Sequence, residues 1–210
     1  GALLATLAFC LAASAVYAYN DTRDVARDRL HPDKRQRPLA RGAITPRAAL
    51  AFSALLCVAA LAVAALTHAG VVAVIAIYLL LQLAYSQGLK RIAWLDVGIV
   101  ASGFALRIVA GGLAANVPLT PWILAMGFLL ALMLALGKRH GDLIHVTDPA
   151  ARTAARYDVS TIEWVLAGLA GAVLVAYVFY TISPDVVARH GHRALAWSTP
   201  WVALGVLRYL

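Results

Sequence analysis

A polytopic, all-α membrane bundle is the fold class this sequence predicts, and three observations carry the prediction. The chain is 62% hydrophobic and 13% charged, against roughly 45–50% and 25% in a soluble domain. Apolar stretches long enough to cross a bilayer recur along it, since about 20 residues at 1.5 Å rise suffice. Its Lys and Arg residues alternate between rich and poor connections. Seven spans are expected, at about 1–19, 47–67, 70–89, 95–115, 120–137, 161–181 and 194–210. With no initiator Met and apolar runs at either end, 1–210 reads as one bundle domain trimmed at both ends. Residues 1–19 lack the basic start and cleavage site of a signal peptide.

The first span ends at Tyr19, and the connection 20–47 holds eight of the 18 Lys and Arg residues. Thr45-Pro46 opens the second span with a cap and a proline in the first helical turn. Gly70 and Gly88 suit the ends of the third, and Lys90-Arg91 follow it. Asp96 caps the fourth, where Gly111-Gly112 permit close helix approach. Thr120-Pro121 repeats the capping device for the fifth, and Lys138 and Arg139 stand at its end. Ser160 with Glu163 makes a capping box for the sixth. Pro200 starts or kinks the seventh.

The basic connections (20–47, 90–91, 138–156) alternate with poor ones, so by the positive-inside rule they face the cytoplasm of a multi-pass cell-membrane protein. The net charge of +8 therefore reports orientation in the lipid bilayer and anionic lipid or substrate; no nucleic-acid partner is expected. Cys10 and Cys57 lie within spans as small buried hydrophobes, with no disulfide implied. His140 and His145, five apart, share no helical face for a metal, and His190 and His192 fall on the opposite side of the membrane. The five tryptophans belong to the interfaces.

Chemistry concentrates at 20–42. Asn20, Asp24 and Asp28 are spaced i, i+4, i+8, so on a helix they line one face, with Asp21 beside them. Such hard oxygen donors suit Mg2+, which takes few carboxylates and completes its shell with water and phosphate oxygens. The bland alternative is a solvated helix in which Asp24 pairs with Arg27 or Arg29. Lys34, Arg35, Arg37 and Arg41 follow, interleaved with Pro32, Pro38 and Gly42. Guanidinium forks bind phosphate oxygens bidentately, so this loop reads as a diphosphate cradle, or else as a positive-inside anchor. Arg107 lies within a span, where an ionisable group is a functional candidate. It either faces a cavity and binds phosphate or snorkels. Lys90 and Arg91 are anchors or ligands. His31 holds a phosphate, holds the loop, or caps the helix.

NDTRDVARDRLHPDKRQRPLARG (20–42) resembles the first aspartate-rich motif, N-D-x-x-D-x-x-x-D, of the UbiA superfamily of intramembrane prenyltransferases. The whole chain fits that superfamily's order of spans and loops. The resemblance implies nine helices around a central cavity, of which seven are present here, and Mg2+ held by Asn20, Asp21, Asp24 and Asp28, with Asp24 and Asp28 at the reaction centre. Members commonly carry a second motif, D-x-x-x-D. Here the corresponding stretch is LGKRHGDL (136–143), with Lys138, Arg139 and a single carboxylate, Asp142, where Glu is expected. This pattern, with YSQGLKR (85–91) and DVGIVASGFALRIVAGG (96–112), resembles the branch that transfers phosphoribose from phosphoribosyl pyrophosphate to decaprenyl phosphate, for cell-wall arabinan precursors. It implies substrate-binding roles for Lys34, Arg35, Arg37, Arg41, Tyr85, Lys90, Arg107, Lys138, Arg139 and Asp142. Tyr85 lies five residues before Lys90, where the superfamily often has four. The physical logic agrees: a metal-bound diphosphate meeting a lipid phosphate asks for one acidic cluster and many cations. The alternative is a prenyl diphosphate:aromatic acceptor transferase of quinone synthesis, against which the missing second acidic pair argues. A transporter would spread charges over several spans. The sequence allows a homo-oligomer without specifying one, and polyprenyl chain length stays open.

Overall fold

The computed structural model describes residues 1–145, 157–190 and 193–209, without the side chains of His145, Asp185, Arg189, His190 and Arg193. Arg152, Arg156 and His192 lie outside the described residues. Among those described, every regular element is helical: α1 (Ala2–Leu30), α2 (Pro46–Ala65), α3 (Ala69–Gln87), α4 (Leu95–Ala115), α5 (Pro121–His145), α6 (Val159–Ile182), α7 (Pro184–His190) and α8 (Thr199–Tyr209), with short 3-10 turns at Lys34–Gln36, Leu89–Arg91 and Arg193–Ser198. Six helices of 19 to 29 residues are long and apolar enough to cross a membrane.

The expected seventh span, 194–210, is not one run. It is a 3-10 turn followed by an 11-residue helix. Pro200 lacks an N–H and restrains the residue before it, so it sits in the first turn of α8 and a new helix starts there. Ser198, just before, bonds Tyr177 through its hydroxyl at 2.7 Å. The start of α6 also differs from the expected capping box. Asp158, two residues ahead of Ser160, caps it by accepting from the Thr161 N–H at 2.9 Å, while Glu163 reaches His140. The carboxylate wins because it accepts from Ser160, the Thr161 hydroxyl and the backbone together. Thr45 caps α2 as expected, accepting from Ala48 at 3.2 Å.

The helices divide into two compact units. The first comprises residues 1–99 and 106–118. Its core joins α1, α2, α3 and α4 through Ala5, Ala8, Phe9, Ala12, Ala60, Val71, Ile75 and Ala110. Alanine dominates because, where lipid is as apolar as Leu, close backbone approach is what favours packing. Buried Ser53 adds an interhelical bond, its hydroxyl donating to the Ala15 carbonyl at 2.8 Å. Leu55, Val58 and Leu80 are more than 60% exposed, the outward-facing pattern of a surface solvated by hydrocarbon. The second unit comprises residues 100–105 and the described residues from 119 onward. There α5 packs on α6, and α6 on α7 and α8, with Met133, Leu136, Ile162 and Leu166 buried.

Candidate functional site

In the first unit α1 does not stop at Tyr19, where the first apolar span was expected to end. It runs on through the acidic motif to Leu30, where His31 turns extended. The His31 ring then caps the next turn, Nδ1 accepting from the Asp33 and Lys34 N–H groups at 3.2 and 3.3 Å. Arg29 Nε donates to the Ala40 carbonyl at 3.0 Å, tying the far side of the loop back to the helix. Leu39 and Ala40 are buried beneath it. Gly42 takes a φ of +79°, a left-handed value that costs glycine little, before α2 begins. This path returns Arg37 to Asp28, nine residues earlier in the helix.

The four motif residues fall into two pairs, each bridged by a cation from another segment. Lys90, in the turn after α3, donates from Nζ to Asn20 Oδ1 at 3.0 Å and to the two Asp24 oxygens at 2.9 and 3.0 Å. Asn20 Nδ2 donates to Asp24 Oδ2 at 3.0 Å, and Arg27 adds a second cation to Asp24 at 3.0 Å. Arg37 Nη1 donates to Asp21 Oδ1 at 2.7 Å and Asp28 Oδ2 at 2.9 Å. Asp21 and Asp28 are seven residues apart, about 20° around a helix, which is why one nitrogen reaches both. Asp24 is 9% and Asp28 2% exposed, and burying a carboxylate is costly unless it is paired and hydrogen-bonded, as both are here. Among the described residues, no three His, Cys, Asp or Glu side chains gather into a ready-made metal cage. Lys34 is half-buried, and Arg35 and Arg41 are exposed on the loop.

Tyr85 occupies the last turn of α3, one residue before Ser86, whose buried hydroxyl has no hydrogen-bond partner. The turn carrying Lys90 leads to Trp94 at φ +69°, a conformation costing a non-glycine residue of order 1–3 kcal/mol. Asp96 does not stand at the cap position, which is Trp94; it lies inside the first turn of α4 and accepts from the Val97 N–H at 2.8 Å.

Arg107 belongs to a different place. It lines a cavity of about 500 Å³ with Thr6, Phe9, Tyr17, Tyr78 and Gly111. Its guanidinium carbon lies 5.4 Å from the centre of the Phe9 ring, and it hydrogen-bonds Tyr78. Phe9 and Asp24 are 15 residues apart on α1, about 22 Å along the axis. One phosphate cannot touch both Arg107 and the acidic face.

In the second unit, neighbours on α5 diverge by 100° each. Arg139 Nη1 lies 3.5 Å from Asp142 Oδ2. Lys138 and His140 instead line a cavity of about 460 Å³ with Glu163, Leu166 and Tyr209. His140 Nε2 lies 3.2 Å from Glu163 Oε1, joining α5 to α6. The sequence reading overlooked Glu163 as a site neighbour; its only signal was an acid opening a helix opposite a basic helix end.

The UbiA prenyltransferase family matches residues 1–208. The decaprenyl-phosphate phosphoribosyltransferase of Mycolicibacterium smegmatis is 41% identical over 87% of this chain and 58% of its own length. That of Corynebacterium glutamicum is 34% identical over 98% of this chain and 64% of its own. The chain thus spans about three fifths of these curated relatives. Among solved structures, a UbiA homolog from Archaeoglobus fulgidus bound to DMAPP and Mg2+ superposes with a TM-score of 0.85, covering 99% of this chain and 73% of that one at 19% identity. At that identity the likeness speaks for the fold. With a family match over nearly its whole length and a fold shared with a solved homolog, the chain belongs to the UbiA prenyltransferase family.

Proposed function

We propose that this protein transfers phosphoribose from phosphoribosyl pyrophosphate to a polyprenyl phosphate such as decaprenyl phosphate, with Mg2+, at the cytoplasmic face of the cell membrane. The observation that carries the reading is a contrast. One acidic face, on α1, lies within reach of Lys90 and Arg37, whereas the end of α5 offers Lys138, Arg139 and His140 where a second acidic motif would stand. The names of its relatives from M. smegmatis and C. glutamicum support it.

The donor set suits Mg2+. The Lys90 ammonium already sits 2.9–3.0 Å from three hard oxygens, a stand-in for a cation among Asn20 and Asp24. Mg2+ takes few protein carboxylates and completes its shell with water and phosphate oxygens. Asn20 and Asp24, with Asp21 and Asp28, would hold the ion. When bound, it neutralises charge on the departing pyrophosphate. Lys90, Arg37 and Lys34 bind diphosphate oxygens, and Lys138 and Arg139 hold the lipid phosphate. A lipid phosphate oxygen forms the new bond to the anomeric carbon as the bond to pyrophosphate breaks. The nucleophile is already an anion, so no side chain need remove a proton. Positioning and fixed charge supply the rate.

The test is incubation of the detergent-solubilised full-length protein with Mg2+, polyprenyl phosphate and radiolabelled phosphoribosyl pyrophosphate. Labelled lipid is the expected product. No labelled lipid, with turnover of a prenyl diphosphate and an aromatic acid instead, would overturn the reading.

A further inference from the structure

We propose that Lys90 and Arg37 are built-in counter-cations that hold the acidic face of α1 until metal and diphosphate arrive together, and that they discourage the metal from binding alone. The inference rests on the reading that this face takes a divalent ion with a diphosphate. Three observations carry it. First, the face is balanced by its own side chains: Asp21, Asp24 and Asp28 are matched by Lys90, Arg37 and Arg27 at 2.7–3.0 Å. Second, both bridging cations come from elsewhere in the chain. Arg37 spans 9 and 16 residues to its acids, and Lys90 spans 66 to Asp24. Third, each is suited to a second partner. The two Arg37 bonds use Nη1 alone of a group with five N–H donors, and the Lys90 ammonium is a point charge on a flexible stem.

The electrostatics then favour cooperative binding. A divalent ion entering alone meets oxygens already engaged and adds positive charge to a face that its own side chains already neutralise. It binds only by displacing Lys90 or Arg37 from the carboxylates that hold them. A diphosphate entering with the ion supplies an anion for them, and the displaced cations turn to its oxygens. Lys90 and Arg37 are thus positioning residues for the metal as well as ligands of the leaving group, and metal and diphosphate tighten each other by the same factor.

The experiment measures Mn2+ affinity of the full-length protein in detergent by electron paramagnetic resonance, with and without inorganic pyrophosphate. The wild type should bind Mn2+ weakly alone and more tightly with pyrophosphate. Lys90→Met should bind Mn2+ alone about tenfold more tightly, the weight of one charge-assisted bond, and gain less from pyrophosphate. Its metal-free melting temperature should fall, and Mn2+ should restore it. Lys90→Arg should keep the wild-type pattern. If Lys90→Met fails to fold, Arg37→Gln tests the second bridge by the same measurement. Unchanged or weaker Mn2+ binding alone in the folded variant overturns the proposal and leaves Lys90 a diphosphate ligand or anchor. Absence of Mn2+ binding by the wild type under both conditions removes the metal reading itself.

Discussion

The ends of α1 and α5 both carry charged side chains to a membrane edge, yet they arrange them differently. On α1, three carboxylates meet three cations within 3.0 Å, and two of those cations arrive from distant segments. On α5, the Arg139–Asp142 pair is one turn long and looser, at 3.5 Å, and Lys138 faces a cavity. The first arrangement holds its carboxylates together with cations from other segments; in the second, Lys138 and Arg139 stand near Asp142 and Glu163 without so close a set of ion pairs. An acidic face bridged by its own cations is suited to exchanging them for a metal, whereas Lys138, directed at a cavity, is placed to meet an anion. The deep Arg107 fits neither, since about 22 Å of helix separates its level from Asp24.

The largest expected effect breaks the first arrangement. Asp24→Asn or Asp28→Asn should lower turnover by at least about a hundredfold, because each keeps the side chain's size and loses its charge. Far-UV circular dichroism should be unchanged. Near-normal turnover in either variant would show that the acidic face is only a charged surface. The next effect tests the second arrangement. Lys138→Ala should raise the KM for polyprenyl phosphate about tenfold, the worth of one hydrogen bond to a charged group, and leave that for phosphoribosyl pyrophosphate nearly unchanged. Equal effects on the two substrates would erase the contrast between the helix ends.

Most of the α1 site was legible because the helix runs unbroken to Leu30. The i, i+4, i+8 spacing of Asn20, Asp24 and Asp28 therefore survives as a face. What the spacing could not reveal is the division into two pairs, which depends on Lys90 arriving from the turn after α3. Nothing local ties position 90 to position 24; that proximity is a property of helix packing. Nor could composition choose Arg37 from among Lys34, Arg35, Arg37 and Arg41. The choice is made by the His31 turn and the Arg29–Ala40 bond, which aim one of four similar side chains at the helix. At α6, two plausible caps stood two residues apart, and only the three-way hydrogen bonding of Asp158 decides between them. The last apolar run was misjudged as one span because hydropathy is blind to the restart of the chain at Thr199-Pro200.

A smaller effect concerns how the second unit is held. A Cβ on Gly137 would lie 2.5 Å from the Tyr209 hydroxyl oxygen and 2.7 Å from its ring. That hydroxyl donates to the Leu134 carbonyl at 3.0 Å. Gly137→Ala should therefore push Tyr209 off α5, offsetting the roughly 0.5–1 kcal/mol that alanine otherwise adds inside a helix, so the melting temperature in detergent should not rise. The ring lies at the end of a side chain that can swing, so the packing loss stays modest. A melting temperature raised by the full gain of alanine over glycine would mean that the contact between α8 and α5 adds nothing to the cavity wall.

The smallest effect asks whether the acids of the second unit serve local structure, as the contrast requires. Bonds from the Ser160 hydroxyl, the Thr161 N–H and the Thr161 hydroxyl hold the Asp158 carboxyl below its ordinary value of 3.8. A carboxyl depressed on folding stabilises the folded state fully above its unfolded value and loses that contribution as pH falls through the folded one. Asp158→Asn keeps a good cap without the charge. The melting temperature of the wild type should therefore exceed that of Asp158→Asn by a small constant amount from pH 5 to 8. The gap should close below about pH 4 as the wild-type carboxyl takes up its proton. Because Asp158 is fully exposed, added salt should shrink the gap as well. A gap that persists unchanged to pH 3 would mean that the charge at this helix start is not what holds it, and that the acids of this unit cannot be set aside as caps.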